Sequence, residues 1–174
     1  MCNHRLLRAL YHSYVVKDST NKLHKSISDS LNVSILEGKT CLIIDDNSSN
    51  RIAISNLLEI YNMNYYMTAS GEEAILSYLN NVKRLKTIDF ALIDIRMPGM
   101  DGNMVINRIY DIFKEYSLSF PCIAMNSGDD DISDKFNVVL TKPIVEKKLI
   151  KTLIDLLPKQ NAKKIKKEKS IIIQ

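Results

Sequence analysis

From Thr40 to Leu157, short apolar runs alternate with amphipathic segments, and this alternation constrains the fold more than any other feature of the chain. Thr40 to Asp45 (TCLIID) reads as a first strand, and Ser49 to Tyr61 as a helix with Ile54, Leu57, Leu58 and Tyr61 on one face. Asn64 to Thr68 predicts a second strand and Gly71 to Asn80 a second helix. Asp89 to Ile93 (DFALI) predicts a third strand, ended by the turn Pro98-Gly99-Met100-Asp101-Gly102, after which Met104 to Tyr116 returns to helical spacing. Pro121 to Met125 (PCIAM) and Asn137 to Leu140 complete five strands. Leu149, Ile150, Leu153, Ile154 and Leu157 mark a last helix stopped before Pro158, which cannot continue it. Strands that are apolar on both faces and joined by helical crossovers form a parallel sheet with helices on each side, an α/β fold. In such sheets ligands and chemistry gather beyond the carboxyl ends of the strands.

The flanks follow a different pattern. Leu6, Leu7, Leu10, Tyr11 and Tyr14 repeat at helical spacing, and a polar stretch runs from Lys17 to about Ser34. Residues 1–38 therefore read as an appendage and linker, 39–157 as the domain and 158–174 as a tail. The net charge of +4 belongs to the two ends. Residues 39–157 hold thirteen basic against sixteen acidic side chains, whereas residues 158–174 hold six against one. The run Lys163-Lys164-Ile165-Lys166-Lys167 lacks aromatic residues interleaved for base stacking, so it reads as a solvated terminus rather than a nucleic-acid site. No apolar run approaches the roughly 18 residues of a membrane span, and no secretory signal opens the chain, which predicts a cytoplasmic protein without a membrane span. Cys41 and Cys122 lie in apolar runs and, with Cys2, predict reduced thiols rather than a disulfide framework; no Cys/His spacing suggests zinc. His4, His12 and His24 read as surface histidines.

At the strand ends the sequence sets Asp45 and Asp46 after the first strand, Asp94 after the third, Asn126 and Ser127 after the fourth and Lys142 after the fifth. Two carboxylates about 4 Å apart repel by roughly 4 kcal/mol at an effective dielectric near 20, so three of them hold a proton or recruit a cation. A hard divalent ion with oxygen ligands, Mg²⁺ above all, meets that need. An aspartate beside such an ion and an ammonium is a competent nucleophile toward phosphorus, because both cations neutralise charge on the transferring oxygens. Taken singly, Asp-Asp-Asn after a strand is also ordinary turn and cap chemistry; the joint placement at several strand ends is what points to a site.

Three segments then carry a family resemblance: Leu42-Ile43-Ile44-Asp45-Asp46-Asn47, the run from Ala91 to Gly102 (ALIDIRMPGMDG), and Leu140-Thr141-Lys142-Pro143-Ile144. Over about residues 39–157 the chain resembles the receiver domains of two-component response regulators, particularly those of hybrid histidine kinases. The resemblance implies a flavodoxin-like, doubly wound five-stranded parallel sheet in the order 2-1-3-4-5. It implies that Asp94 accepts phosphate from the phosphohistidine of a histidine kinase or histidine phosphotransfer protein. By the same resemblance the side chains of Asp46 and Asp94 and the Arg96 carbonyl ligate Mg²⁺, Asp45 assists through water, Lys142 contacts the phosphoryl group, and Lys142-Pro143 is a candidate cis bond. The chain would assist its own phosphorylation and dephosphorylation without being an enzyme.

Several departures from that pattern are legible too. Where the family places a Thr or Ser after the fourth strand, this chain has Asn126, with Ser127 one residue late; Val139 replaces a frequent aromatic residue. Only ten residues, Ser127 to Phe136, separate the last two strands, so the fourth helix is expected to be short or missing. These changes support an alternative in which the fold persists as a pseudo-receiver, a protein-interaction module that is never phosphorylated. An aspartate-based phosphohydrolase is disfavoured because Arg96 and Asn47 stand where a second carboxylate is needed, and a kinase because no glycine-rich phosphate loop occurs. Arg96, two residues past the acceptor, is expected to lie over the phosphoryl group and hinder water. Asp129, Asp130, Asp131 and Asp134 read as a solvated acidic loop, and Met97 and Met100 as packing. No DNA-binding output domain is visible in the sequence.

Overall fold

The computed structural model describes residues 32–157. The amphipathic segment Leu6 to Tyr14, the three histidines, Cys2 and the basic tail lie outside the described residues. A 3₁₀ turn over Val33–Leu36 buries Leu36 ahead of the first strand.

Five strands follow: β1 Thr40–Ile44, β2 Asn64–Thr68, β3 Phe90–Asp94, β4 Cys122–Asn126 and β5 Val138–Thr141. They form one parallel sheet in the order β2-β1-β3-β4-β5, the flavodoxin-like arrangement. Every residue of β1, β3 and β4 is buried, which is why those strands read as unbroken apolar runs. The edge strands β2 and β5 are only partly covered.

Helix α1 is Ser48–Ile60, α2 is Gly71–Ala74, α3 is Val82–Leu85, α4 is Gly102–Tyr116, and α5 spans residues 146–157. α2 runs on into a π-helical turn over Ile75–Leu79, which breaks the single helix expected from Gly71 to Asn80. Strand side chains alternate between faces. Leu42, Ile44, Ala91, Ile93, Cys122 and Ala124 form one core with Ala74 and Leu79 and with Val105, Ile106, Ile109 and Ile112 of α4. The alternate residues Cys41, Ile43, Leu92, Ile123 and Met125 are equally buried, as are Ile54 and Leu58 of α1 and Leu149, Ile150 and Leu153 of α5.

The boundaries differ from the sequence pattern in an informative way. β3, β4 and β5 each run one residue further than expected, so that Asp94, Asn126 and Thr141 are strand residues rather than followers. Asp94 sits opposite Met125 in the β3–β4 ladder, and Asn126 opposite Thr141 in the β4–β5 ladder. A polar residue pairs its backbone as well as an apolar one, so hydropathy does not reveal this last rung.

Among the described residues no helix lies between β4 and β5. The connection is instead fastened to α4. Asn103 donates to the Asp131 carbonyl at 2.8 Å and accepts from the Ser133 amide at 2.9 Å, while Tyr110 donates to the Lys135 carbonyl at 3.0 Å. Lys135 also pairs with Asn107. Residues 103, 107 and 110 share one face of α4 at helical spacing, so a polar stripe on that helix substitutes for the missing one. Ile132 and Phe136 pack on the same core.

α4 begins close against β3. Asp101 caps it by accepting from the Met104 amide, and Gly102 donates its amide to the Ile95 carbonyl at 3.0 Å. A Cβ on Gly102 would collide with the Asp94 carbonyl oxygen and stand 2.9 Å from the Ile95 Cα. The three nearest atoms are all backbone, so no flexible side-chain end can yield to it. Gly102→Ala is expected to destabilise the fold by about 1–3 kcal/mol in urea denaturation; an unchanged midpoint would refute this close-packing role.

Candidate functional site

Asp45, the residue after β1, is fully buried, and its carboxylate is saturated with donors. The Asn47 amide reaches Oδ1 at 2.9 Å, Asn50 Nδ2 lies 3.3 and 3.2 Å from the two oxygens, and Lys142 Nζ is 2.7 Å from Oδ2. These donors exist because α1 starts immediately: Asn47 is its N-cap, accepting from the Ser49 and Asn50 amides, and Asn50 lies in its first turn. Arg51 Nη1 ties the same bend down by donating to the carbonyls of Asp45 at 2.7 Å and Asp46 at 3.0 Å. The side chain of Asp46 stays exposed. The sequence reading missed Asn50 and Arg51, whose only signal is their position in the first turn after an acidic pair.

Asp94 ends β3 with 4% of its surface exposed. Its Oδ1 accepts from the Arg96 amide at 3.3 Å, and Oδ2 lies 2.6 Å from Lys142 Nζ. Burial pushes the Asp94 carboxyl above its usual range; Lys142 draws it back, Asp45 pushes it further up, and the Arg96 amide lowers it. Lys142 follows β5 and donates its backbone amide to the Asn126 carbonyl at 2.7 Å. Burial alone would disfavour its charge, yet hydrogen bonds to Asp45 and Asp94 and their negative charge outweigh burial and hold the ammonium above its ordinary pKa. The Lys142-Pro143 bond is cis. Carboxylate oxygens of Asp45, Asp46 and Asp94 lie within 4.8 Å of one another, two residues buried and one exposed.

Asn126 and Ser127 are not drawn into this cluster. Asn126 is buried but turned on its own loop, donating to the Gly128 carbonyl at 2.7 Å and accepting from the Gly128 amide at 3.3 Å. Ser127 is exposed, as is Val139 at 41%. The amide of Asn126 carries a donor and an acceptor on separate atoms and engages the carbonyl and the amide of Gly128 together, which commits it to its own loop. Nor does the Arg96 side chain lie over Asp94. Its Nε donates to both carboxylate oxygens of Asp130, at 2.8 and 2.9 Å. The acidic loop therefore holds a specific ion pair, one that sequence spacing across 34 residues could not signal.

Comparison with known proteins gives a consistent result. The family model for the response regulator receiver domain matches residues 41–154. The heme response regulator HssR of Staphylococcus epidermidis is 32% identical over 117 residues, covering 63% of this chain and 47% of that protein. The sensor protein GacS of Pseudomonas syringae pv. syringae is 27% identical over 121 residues, 65% of this chain and 13% of its own length. This chain thus spans about half, or much less, of the curated relatives it matches. The receiver domain of the histidine kinase CKI1 from Arabidopsis thaliana, solved with Mg²⁺, shares the fold with a TM-score of 0.59 at 22% identity, over 67% of this chain and 92% of that one.

Because Asp94 is held above the ordinary carboxylate range, ionising it costs the folded state. That cost is absent below the unfolded carboxylate's pKa and grows as pH rises through the folded value. Without divalent cations, Asp94→Asn is expected to be more stable than wild type at pH 7, the gain shrinking as the pH falls through the carboxylate range. Thermal melts at a series of pH values measure this, and a gain that grew toward acid would contradict it.

Proposed function

The chain belongs to the response regulator receiver domain family, and we propose on that premise that Asp94 accepts a phosphoryl group from a phosphohistidine on a partner protein. An Asp94 oxygen attacks phosphorus, the new P–O bond forms as the P–N bond to the imidazole breaks, and the imidazole departs with the electron pair. The observation that supports this reading best is the seat of Lys142, whose ammonium stands 2.6 Å from Asp94 and 2.7 Å from Asp45. A cation held there counters the charge that gathers on the transferring oxygens.

The carboxylates of Asp45, Asp46 and Asp94 fit a divalent cation by donor chemistry: hard oxygens, net negative charge, and close spacing, with exposed Asp46 at the solvent side. Asp46 and Asp94, with the Arg96 carbonyl, would hold Mg²⁺, and the bound ion would supply Lewis-acid neutralisation of the phosphoryl oxygens. The chain is a phosphoacceptor in this reading and not a turnover enzyme. The donor is a histidine kinase or histidine phosphotransfer protein, consistent with relatives named as a response regulator and a sensor protein. Such donors imply a cytoplasmic setting, and among the described residues no helix is long and apolar enough to cross a membrane.

A groove of about 150 Å³ between α1 and the segment after β5, lined by Asn50, Ala53, Ile54, Leu57, Lys142, Pro143 and Ile144, offers the donor a largely apolar seat against Lys142. The second reading, a pseudo-receiver, draws support from Asn126, whose amide is committed to its own loop.

Incubation with acetyl phosphate and Mg²⁺, followed by intact mass measurement, separates the two. One phosphoryl adduct, lost in Asp94→Asn, is expected; no adduct where a control receiver is modified would favour the pseudo-receiver. Burying a neutral polar group in an apolar contact costs about 1–3 kcal/mol, and an ionised carboxylate costs more. Ala53→Glu is therefore expected to slow transfer from a phosphorylated histidine phosphotransfer protein about tenfold or more while leaving acetyl phosphate labelling unchanged. Equal slowing with both donors would place the defect in the acceptor site instead.

A further inference from the structure

The pairing of Arg96 with Asp130 bears on how long phosphate stays on Asp94. Arg96 is the second residue past the acceptor, and its backbone amide already contacts the Asp94 carboxylate. Its side chain is engaged by Asp130, and both border a groove of about 570 Å³ together with Asp46 and Asp101. There its Nε sits between the two oxygens of Asp130, and the guanidinium covers Gly128, where a Cβ would stand only 3.0 Å from Nη2. Among the described residues no hydrogen bond or ion pair joins this side chain to Asp94. Asp130 is itself fixed, because the turn on Asn126 precedes it and Asn103 grips the next residue, Asp131, by its carbonyl.

We propose that Asp130 is a positioning residue that sets the lifetime of the phosphorylated state by competing with the phosphoryl group for Arg96. The role rests on the phosphoacceptor reading given above. Loss of phosphate requires water to attack phosphorus: a P–O bond forms to water, the P–O bond to Asp94 breaks, the carboxylate leaves with the electron pair, and the water's proton passes to solvent. While Asp130 holds Arg96, the guanidinium is kept away from the phosphoryl oxygens and does not shield them from that water. When Arg96 turns toward the phosphoryl oxygens, its planar guanidinium covers them and blocks the approach. The side chain of Arg96 is 64% exposed, so its pair with Asp130 is of the weak, exchangeable kind that a phosphoryl dianion can rival.

The test uses the full chain labelled with acetyl phosphate and Mg²⁺, freed of donor and followed by intact mass. Asp130→Asn is expected to lose phosphate about two- to fivefold more slowly than wild type, the range set by an exposed ion pair. Asp130→Glu should restore the wild-type rate, and in an Arg96→Gln background Asp130→Asn should have no effect. An unchanged or faster rate in Asp130→Asn, or the same slowing without Arg96, would overturn the proposal. Independently, the ¹⁵N signal of Arg96 Nε–H in the unphosphorylated chain should shift in Asp130→Asn; an unmoved signal would also overturn it. If no variant took up phosphate, the phosphoacceptor reading and this role would both fall, while the Nε signal would still report whether the ion pair forms.

Discussion

One ammonium holds the carboxyl end of the sheet together. Lys142 places its charge between two buried carboxylates that arrive from β1 and β3, strands separated in sequence by some 50 residues. Without it, the fully buried Asp45 would face Asp94 across a short gap with amides alone to offset its charge, an arrangement in which breaking one partner is costly. The interaction spans the sheet, since Lys142 follows the outermost strand, β5. Closing that pair fixes the register of β5 against β4 at the rim, where the Lys142 amide also bonds to Asn126.

The same rim is where this chain departs from the helical crossover that joins parallel strands elsewhere in its sheet. A short connection leads from β4 to β5, and the work that a crossover helix would do is divided among polar side chains of α4 and the ion pair of Arg96 with Asp130. Such a loop is positioned by a handful of hydrogen bonds together with the packing of Ile132 and Phe136 on the core. Asn126 follows from this economy: having no helix to start, the chain turns sharply after β4, and the amide side chain closes the turn. The acid cluster is left intact by these changes, because its carboxylates hang from central strands whose every residue is buried.

Much of this was legible in the residues. Unbroken apolar runs at 40–44, 90–93 and 122–125 require burial on both faces, which parallel sheets supply, and the carboxylates and lysine that follow such runs must then meet at one edge. The cis bond at Lys142-Pro143 was implied by the family resemblance, and the short or missing fourth helix was readable from chain length. What hydropathy could not show was the last rung of β3, β4 and β5, because backbone pairing is indifferent to side-chain polarity. It also gave no sign of the π-helical turn at Ile75–Leu79 or of the short helix Val82–Leu85.

By itself, then, the order of residues determined the fold class, the strand succession and the identity of the converging charges, because periodicity and chemical type are local properties. Only the tertiary structure decided which side chains engage which. Arg96 turns to Asp130 instead of Asp94, Asn126 turns on its own loop, and Asn50 and Arg51 of α1 hold the acidic bend. Those choices are settled by distance across folded elements and by competition among several partners for one donor, and neither exists until the chain has folded.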